Sequence, residues 1–439
     1  MKLSVIGLGK LGLCTAVFLA TRGFEVAGFD INKKLIDQLR NGINPIDEPD
    51  LDGLLSAARP NLVISHDLHE VLLNSDTTLV IVPTPSRENG FFSNDSVMEV
   101  LRAVGTVLSA KSSYHVVDVV STVMPGSSEQ EFIPLLESNS GKTCGSGFGF
   151  VYNPEFIALG SVIKDFSRPD MVLIGASDER AAETVARIYQ KACFNSPPVC
   201  TMSLTNAEIS KLALNCFVTM KISFANELAR ICEKTPGADV DVITAAIGND
   251  TRIGKKYLTG GMGFGGPCFP RDNVALSAFA QAMGYDARLS PAVQKVNQHI
   301  VDVVEEKIEA HLFPGGSITL LGMAYKAGSP IIEASQSMEL AERLLGKGFR
   351  LTVSDPAALG NVQQMLHDRV TYEPDGFDAI AGADAVVVLA PWPQYRQLDW
   401  RKADALVPEN ALLLDCWRMA SDRDFSNFQY HALGKGRLN

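Results

Sequence analysis

The chain has 439 residues, 46% apolar and 20% charged, with a net charge of −11, as expected for a globular enzyme of two or three domains. The acidic balance argues against a nucleic-acid partner, which would favour a basic surface. No apolar run is long enough to cross a bilayer, and the first residues look like a strand entering a turn rather than a signal peptide. The eight cysteines contain no C-x-x-C pair, so they indicate neither a zinc site nor a disulfide framework, and they suit a reducing cytoplasm.

Residues 1–202 are predicted to form an α/β domain. A strand at residues 2–6, a helix to about Thr21 and a strand at residues 24–29 make a β-α-β unit. Further strands are predicted at residues 78–82, 115–120, 149–152 and 171–174, with helical stretches between them. This alternation predicts a doubly wound parallel sheet.

The pattern changes after residue 202. One long helix is predicted from Leu204 to Lys234, which contains no Gly or Pro, and residues 203–312 read as an all-helical domain. From residue 313 the alternation returns, with strands at 318–322, 350–354, 385–389 and 412–414 and a helix at 337–345. The predicted fold class is therefore α/β, with two Rossmann-like doubly wound parallel-sheet domains, 1–202 and 313–439, joined by a central all-helical domain.

The first turn fits the pattern G-x-G-x-x-G, spelled by Gly7, Leu8, Gly9, Lys10, Leu11 and Gly12. It follows a strand and opens a helix, which is the context of a dinucleotide-binding turn. Asp30, eighteen residues past Gly12, would accept from ribose hydroxyls and repel a 2′-phosphate, which favours NAD over NADP. Lys33 and Lys34 are the nearby cations that could meet such a phosphate, and a tight turn without a ligand is the structural alternative.

Lys211 and Asn215 lie four residues apart on the long helix and therefore on one face. They could bind an oxyanion or a substrate hydroxyl, although taken alone they are better explained as a solvated stripe, because lone charges on helices usually face water.

The glycine-rich segment 260–272 places Cys268 just before a helix whose first turn contains Pro270. The N-terminus of that helix would favour a thiolate, and Asp272 lies one turn later on the same side. A nucleophilic thiol beside a carboxylate is a catalytic arrangement. The alternative, a small buried apolar residue, is the interpretation for the other seven cysteines.

Taken together these motifs resemble the UDP-glucose/GDP-mannose dehydrogenase family along the whole chain. The resemblance is carried by the glycine turn with Asp30 and by residues 45–49, 83–86, 121–126, 153–156, 163–166, 168–170, 208–211, 224–227, 252–254 and 263–272. The alignment around Arg252 and Tyr257 is closer to the UDP-glucose branch than to the GDP-mannose branch.

The resemblance implies an NAD-dependent, four-electron oxidation of the C6 alcohol of a nucleotide sugar to a uronic acid, through a thiohemiacetal and a thioester on Cys268. It assigns oxyanion stabilisation to Lys211 and Asn215, the handling of water to Asp272 and Thr122, and acid/base chemistry to Glu155. Besides the glycine turn and Asp30, the cofactor contacts that it implies are Thr84, Pro85, Ser121 and Thr122. The substrate contacts that it implies are Glu155, Phe156, Lys211, Asn215, Arg252, Tyr257, Phe264, Gly265, Tyr325 and Lys326.

In this family the residue matching Arg252 reaches the substrate of a partner subunit, so a homodimer or a higher homo-oligomer is expected, with no membrane or nucleic-acid partner. UDP-glucose is the expected substrate, and GDP-mannose, a UDP-N-acetylhexosamine and dTDP-glucose are alternatives. A two-electron hydroxyacid dehydrogenase is opposed by Cys268, because oxidising an alcohol to a ketone needs no covalent thiol. A non-catalytic nucleotide-sugar-binding relative is opposed by the intact set of Lys211, Asn215, Cys268 and Asp272.

Three positions depart from the family pattern. Leu159 stands where a second glutamate is usual, which puts local positioning of substrate or cofactor in question. Glu333 stands where an arginine usually reaches the cofactor, and a carboxylate there would repel pyrophosphate. Trp417 stands where another arginine is expected. The sequence thus predicts the ordinary chemistry on a nucleotide sugar of open identity, with weakened NAD binding.

Overall fold

The computed structural model describes residues 1–157, 160–420 and 424–436 and divides the chain into two compact units, Met1–Ala213 and Leu214–Asn439. Each unit is built around one β-sheet, and the two sheets together account for every strand of the described residues.

The first unit contains an eight-stranded sheet with the order β3-β2-β1-β4-β5-β6-β7-β8. Its strands are β1 (Lys2–Ile6), β2 (Glu25–Phe29), β3 (Leu62–Ile64), β4 (Thr77–Val80), β5 (Val116–Val119), β6 (Gly149–Tyr152), β7 (Val172–Ala176) and β8 (Val199–Met202). The helices that cover it are α1 (Lys10–Thr21), α2 (Lys33–Arg40), α3 (Leu51–Ala58), α4 (Leu68–Leu73), α5 (Asp95–Ala110), α6 (Ile133–Ser140), α7 (Val162–Ser167) and α8 (Glu179–Ala192). Two buried apolar clusters fill the space between sheet and helices. One contains residues of α1, α3, α7 and α8, and the other contains residues of α5 and α6.

The strands of this sheet run parallel, as predicted, except that β6 and β7 are antiparallel, with Val151 opposite Ala176. The cause lies in the connection between them. The only helix among the described residues of this connection, α7, has six residues and is about 9 Å long, too short to carry the chain back across a face of the sheet.

A single helix, α9 (Leu204–Glu233), spans 30 residues and crosses the boundary between the two units. Its extent matches the prediction from the uninterrupted helical pattern. The helices that follow are α10 (Val240–Ile247), α11 (Phe269–Ala282) and α12 (Leu289–Glu309), so residues 204–309 form helices and loops only.

The second unit also contains a six-stranded parallel sheet with the order β11-β10-β9-β12-β13-β14. Its strands are β9 (Ser317–Leu321), β10 (Arg350–Ser354), β11 (Thr371–Tyr372), β12 (Ala385–Val388), β13 (Ala411–Asp415) and β14 (Phe428–Ala432), and its helices are α13 (Gln336–Gly346), α14 (Leu359–Leu366), α15 (Pro393–Gln397) and α16 (Trp400–Asp404). In both sheets the strand order reverses beside the first strand, between β1 and β4 and between β9 and β12. Ligands of doubly wound sheets bind at such reversal points, at the carboxyl ends of the strands.

Candidate active site

The glycine turn lies at the reversal point of the first sheet and leaves room for a ligand. Gly7 has φ 94°, and a Cβ there would lie 2.3 Å from the Ile81 carbonyl oxygen. A Cβ on Gly12 would lie 1.8 Å from the Gly7 carbonyl oxygen, so neither position tolerates a side chain. A Cβ on Gly9 would meet nothing within 4 Å, and no side chain caps the N-terminus of α1. Open space over free helix N–H groups fits the pyrophosphate of a dinucleotide.

Asp30 follows β2 and faces the same turn. Its carboxylate accepts the N–H of Leu8 at 2.7 Å and the N–H of Asn32 at 2.8 Å, which fixes its orientation. A carboxylate can accept about four hydrogen bonds, so capacity remains for two ribose hydroxyls. The residues around the turn therefore fit the cofactor that the sequence predicts.

The other residues expected to contact the cofactor follow two neighbouring strands of the sheet. Thr84 and Pro85 follow β4, whereas Ser121 and Thr122 follow β5, and the carboxyl ends of both strands lie at the same edge. Thr84 Oγ1 donates to the Thr122 carbonyl at 2.6 Å, and Ser121 Oγ donates to the Val82 carbonyl at 2.6 Å. These side chains join the loops to each other, so both loops are positioned together.

Two buried acidic residues, to which the sequence analysis assigns no role, join segments of the first unit that are distant along the chain. Glu48 pairs with Lys10 of the glycine turn at 3.0 Å and accepts the N–H of Val162 at 2.7 Å. Glu208 on α9 is fully buried and accepts the N–H groups of Gly126 at 2.6 Å and Ser128 at 2.9 Å, which fixes the turn that follows Thr122. Both lie in motifs that the sequence singles out, but their partners are distant along the chain.

Glu155 lies beyond the end of β6 and is held by groups from two helices. The Tyr189 hydroxyl oxygen lies 2.5 Å from Glu155 Oε1, and Lys211 Nζ donates to the Glu155 carbonyl oxygen at 2.6 Å. The same ammonium lies 4.5 Å from the centroid of the Phe156 ring. Burial raises the pKa of Glu155 to about 7, against the opposing effects of the Tyr189 hydroxyl contact and the Lys211 charge. A carboxyl group that titrates near neutrality is suited to both general acid and general base roles.

Cys268 is the N-cap residue of α11 and is exposed. Pro270 occupies the first turn, as predicted, and the N–H of Asp272 bonds to the Cys268 carbonyl oxygen at 2.9 Å. The positive end of the helix therefore adjoins the thiol, which favours the thiolate, the nucleophilic form of cysteine.

Asn215 on α9 lies against the same stretch of α11. Its Nδ2 donates to Asp272 Oδ2 at 2.6 Å, and both side chains are buried. A second bond joins the same two helices, from Asn273 Nδ2, the residue after Asp272, to Thr219 Oγ1, one turn after Asn215, at 2.9 Å. Cys216 lies beside this pair of bonds, but burial and the Asp272 carboxylate raise the pKa of its thiol to about 12. In the second unit the structure thus brings together Asn215, Cys268 and Asp272, and in the first unit it brings together Glu155, Phe156 and Lys211.

The glycine-rich loop is fixed by two buried asparagines, Asn226 from the motif at residues 224–227 and Asn297, which lies in none of the motifs. Asn226 Oδ1 accepts the N–H of Gly261 at 2.7 Å. Asn297 accepts the N–H of Phe264 at 2.7 Å and donates to the carbonyl oxygen of Phe264 at 2.9 Å. Gly265 lies so close to the Ala334 carbonyl oxygen that a Cβ would approach it to 2.4 Å. The loop backbone is therefore held in one conformation.

A small cavity of the second unit joins this loop to the reversal point of the second sheet. Its lining includes Gly263, Gly265, Tyr325, Gln336 and Trp417. Burial raises the pKa of Tyr325 to about 12, so the phenol keeps its proton, and Lys326 Nζ lies 5.7 Å from the centre of that ring.

Trp417, one of the departures from the family pattern, lies against the loop. A Cβ built on Gly261 would lie 2.9 Å from two carbons of the indole, and the indole N–H donates to the Leu389 carbonyl oxygen at 2.9 Å. The next residue, Arg418, has φ 56° and donates to the Gly260 carbonyl oxygen at 2.6 Å. The guanidinium also pairs with Asp241 at 2.6 Å. An arginine thus anchors the loop from the position after the one that the family pattern gives.

Glu333, another of the departures, does not pack against the loop through its side chain. Glu333 is exposed, and its backbone carbonyl accepts the N–H of Gly266 at 3.1 Å. Leu159 lies outside the described residues.

Arg252 and Tyr257 lie on a surface loop. The guanidinium of Arg252 is exposed and pairs with Asp250 at 2.7 Å. Tyr257 has φ 63°, is half exposed and meets the Phe269 ring edge-on, with 6.3 Å between ring centroids. Neither side chain is packed into a core, so both are available to a ligand or a neighbouring chain.

Within the described ranges, no group of three or more His, Cys, Asp or Glu side chains is arranged to hold a metal ion. None of the described helices is long and apolar enough to span a membrane.

Sequence comparison covers all three regions of the chain. Residues 1–193 match the NAD binding domain of the UDP-glucose/GDP-mannose dehydrogenase family, residues 205–299 its central domain and residues 319–422 its UDP binding domain. The chain is 33% identical over 435 residues to the UDP-glucose 6-dehydrogenase AglM of Haloferax volcanii, covering 98% of this chain and 99% of that protein. It is 33% identical over 412 residues to the GDP-mannose 6-dehydrogenase of Azotobacter vinelandii, covering 91% of this chain and 93% of that protein.

A solved structure agrees with these matches. The UDP-glucose dehydrogenase from the hyperthermophilic archaeon Pyrobaculum islandicum superposes with a TM-score of 0.89 at 33% identity, covering 99% of this chain and 98% of that one. The fold class and the NAD cofactor predicted from the sequence are confirmed. The chain belongs to the UDP-glucose/GDP-mannose dehydrogenase family and is an NAD-dependent oxidoreductase of nucleotide sugars.

Proposed function

We propose that this protein oxidises the C6 alcohol of UDP-glucose to a carboxylate in two successive two-electron steps, with Cys268 as the covalent nucleophile. The observation that carries the proposal is the exposed Cys268 thiol at the N-terminus of α11, one turn before the buried carboxylate of Asp272. An enzyme that stopped at the aldehyde would need no such thiol.

The proposed reaction comprises two hydride transfers, one covalent addition and one hydrolysis. NAD, when bound, accepts one hydride in each oxidation step. The C6 alcohol loses a hydride and a proton and becomes an aldehyde, to which the Cys268 sulfur adds, giving a thiohemiacetal. Loss of a second hydride and proton gives a thioester, and water then cleaves the carbon–sulfur bond to release the carboxylate and regenerate the thiol.

The remaining catalytic residues stabilise the oxyanions of the reaction and transfer protons during hydrolysis. Lys211 and Asn215 donate to the oxyanions that form during addition and hydrolysis, since an ammonium and an amide N–H are strong donors for such oxygens. Asp272 orients the attacking water, Thr122 helps to hold that water, and Glu155, with its pKa near 7, exchanges protons during hydrolysis.

The binding roles follow the same division. For the cofactor we assign the glycine turn, Asp30, Thr84, Pro85, Ser121 and Thr122. For the nucleotide sugar we assign Glu155, Phe156, Lys211, Asn215, Arg252, Tyr257, Phe264, Gly265, Tyr325 and Lys326. UDP as the nucleotide is supported by the match of residues 319–422 to a UDP binding domain and by the names of the relatives, which include UDP-glucose 6-dehydrogenases. Glu333 is expected to weaken NAD binding, because a carboxylate near pyrophosphate is repulsive.

We further propose three functional domains, 1–202 for NAD, 203–312 for dimerisation and catalysis, and 313–439 for the nucleotide sugar.

Assembly into a homodimer is supported by one face of α9. Phe217, Phe224 and Ile231 recur every seven residues on it and remain 59%, 49% and 57% exposed. An apolar stripe of this kind favours a protein partner, and light scattering should give twice the chain mass of 47.4 kDa. Charged substitutions at Phe217 and Phe224 should return the chain to the monomer mass. A cytoplasmic location is supported by the eight free thiols.

The test of the proposed function is the yield of NADH per sugar. The purified protein is incubated with NAD and limiting UDP-glucose, GDP-mannose, a UDP-N-acetylhexosamine or dTDP-glucose, and NADH is counted at completion. Two NADH per UDP-glucose, with the other sugars turned over far more slowly, is the expected result. One NADH per sugar would indicate an alcohol dehydrogenase, and binding without turnover would indicate a non-catalytic relative.

Cys268→Ser should abolish formation of the acid, because an alkoxide cannot replace the thiolate in an efficient acyl transfer. Cys200→Ser, at a half-buried thiol on β8, is the matched control and should keep full turnover. Undiminished acid production by Cys268→Ser would refute the covalent role.

A further inference from the structure

The Tyr189 hydroxyl lies between two acceptor groups but has only one proton to donate. Its oxygen is 2.6 Å from Asn153 Oδ1 and 2.5 Å from Glu155 Oε1. The ring is 3% exposed and stacks on Phe166 with 5.5 Å between centroids, so the hydroxyl cannot turn away from either neighbour. Both contacts are hydrogen-bond distances, and one of them must therefore use a proton that does not come from the phenol.

The orientation of Asn153 decides which contact uses the phenol proton. Asn153 Nδ2 donates to the Leu173 carbonyl oxygen at 2.8 Å, and reversing the amide would put two acceptor oxygens at that distance. Asn153 Oδ1 therefore faces the phenol and has no proton to offer. The phenol proton must lie on the Asn153 side, because two oxygens 2.6 Å apart without a proton between them repel each other. The 2.5 Å contact to Glu155 then requires the proton to reside on Glu155.

We propose that Asn153 and Tyr189 are positioning residues that hold Glu155 in its protonated form, with Glu155 donating to the phenol oxygen and the phenol donating to Asn153. Glu155 becomes a carboxylate with a hydrogen-bond donor only when the phenol proton leaves Asn153 and turns toward it. Asn153 thereby sets the protonation of Glu155 through Tyr189 without touching the carboxyl group.

The other ionisable groups that face Glu155 allow this arrangement. Asp118 on β5 is buried, and neither of its carboxylate oxygens has a hydrogen-bond partner among the described residues. Burial raises the pKa of Asp118 well above its ordinary value and that of Cys193, the residue after α8, to about 11, so burial favours the neutral form of both. Lys211 on α9 is the positive group nearby, and its ammonium is directed at the Glu155 backbone carbonyl.

For catalysis this inference rests on the proposed role of Glu155 in hydrolysis. Glu155 enters the reaction as an acid and can deliver a proton. It can accept a proton from water only after it has ionised. Acid formation should therefore rise with pH through the pKa of Glu155, and the strength of the Asn153–Tyr189 bond should determine where that rise lies.

The test measures the pKa of Glu155 in the full-length protein without sugar. The carbonyl stretch of a protonated carboxyl group is followed by infrared difference spectroscopy as the pH is raised, and the Glu155 band is the one that Glu155→Gln removes. Asn153→Leu, close to asparagine in shape, frees the phenol to donate to the carboxylate. It should lower the pKa of Glu155 by about one unit, the size expected for gaining a charge-assisted bond. In a Tyr189→Phe background the same substitution should give no shift.

Tyr189→Phe alone keeps the ring in place and decides the matter if Asn153→Leu does not fold. The proposal expects that the pKa of Glu155 does not rise in this variant. A rise of about one unit would overturn it, because the phenol would then have been donating to the carboxylate. An equal shift for Asn153→Leu in both backgrounds would also overturn it. The titration needs no turnover, so a failure of the NADH count would reject the proposed function and leave this result to stand on its own.

In the active protein the pH midpoint of acid formation should move with the spectroscopic pKa, whereas KM for the sugar should stay within about twofold. A loss of rate at every pH with an unmoved midpoint would show a merely structural role for Asn153 and Tyr189.

Discussion

Asn215 Nδ2 donates to Asp272 Oδ2 across 2.6 Å, joining α9 to the first turn of α11 four residues after Cys268. Asp272 is buried, and this donor stabilises its carboxylate together with the Arg271 guanidinium, whose Nε lies 3.6 Å from Oδ1. The bond has two effects, since it orients the carboxylate relative to the thiol and contributes to the packing of the two helices. Substitutions can separate these effects.

Asn215→Ala should lower turnover at least tenfold and the free energy of unfolding by about 1–3 kcal/mol, because the buried Asp272 carboxylate loses one of its partners. Steady-state kinetics and urea unfolding measure the two effects. Thr219→Val is the matched control, since it removes the neighbouring 2.9 Å bond between the same helices without touching Asp272. It should cost stability and leave turnover nearly intact. Equal losses of turnover in both variants would mean that Asn215 acts only through helix packing.

Glu48→Gln should weaken NAD binding. The substitution removes the ion pair with Lys10 of the glycine turn and exchanges a carboxylate for a weaker acceptor of the N–H groups of Gly160 and Val162. Because Glu48 is buried, we expect a loss of about 1–3 kcal/mol in stability and a several-fold higher Kd for NAD, measured by calorimetry. Glu25→Gln breaks the exposed pair between Lys2 and Glu25 and should change neither quantity. An unchanged Kd in Glu48→Gln would show that Lys10 does not need its partner.

Gly261→Ala should destabilise the glycine-rich loop, because the new methyl group would meet the Trp417 indole at 2.9 Å. Overpacking of this kind costs about 1–3 kcal/mol, and KM for the nucleotide sugar should rise. Gly346→Ala, where a Cβ meets nothing within 4 Å, is the control and should be neutral. In a Trp417→Ala background the cost of Gly261→Ala should largely disappear, which a double-mutant cycle measures. An undiminished cost in that background would place the clash elsewhere.

His115 should make the protein sensitive to acid. Burial lowers its pKa to about 3, whereas an unfolded histidine titrates near 6.5. Between these values the unfolded chain binds a proton that the folded chain does not, so stability falls by up to about 1.4 kcal/mol per pH unit as the pH drops below 6.5. His115→Gln should flatten the pH dependence of the urea midpoint, whereas His69→Gln, at an exposed position, should leave it unchanged. The same slope in His115→Gln and the unmodified protein would contradict the assignment.

Long, regular sequence patterns predict most of the helices and strands, whereas very short elements are not predicted by them. The helix predicted from Leu204 to Lys234 ends at Glu233, and the strand predicted at residues 2–6 is β1. The strands β3 and β11 have three and two residues, too few for any periodicity to show. The antiparallel pairing of β6 with β7 is not predicted for another reason, because strand direction depends on the path of the connecting segment.

In the candidate site, contacts between residues close in sequence are predictable, whereas contacts between distant residues are not. The proximity of Cys268 and Asp272 follows from one turn of helix and is visible in the sequence. The bond between Asn215 and Asp272 joins residues 57 positions apart, and the contact of Tyr189 with Glu155 joins residues 34 positions apart. Before folding, Tyr189 looks like any aromatic on the apolar face of a helix. The role proposed for it depends on its having one proton and two neighbouring oxygens, Asn153 Oδ1 and Glu155 Oε1, and sequence patterns do not reveal that arrangement.

The exposure of Cys268 has a practical consequence. The other seven thiols are buried or half-buried, so a thiol reagent applied briefly to the folded protein should modify one cysteine per chain. Intact mass spectrometry would then count functional chains directly, and a sugar that reaches the thioester would protect that chain from the reagent. Because Cys268 is the accessible thiol, mass spectrometry can measure the fraction of chains that carry a covalent intermediate during turnover.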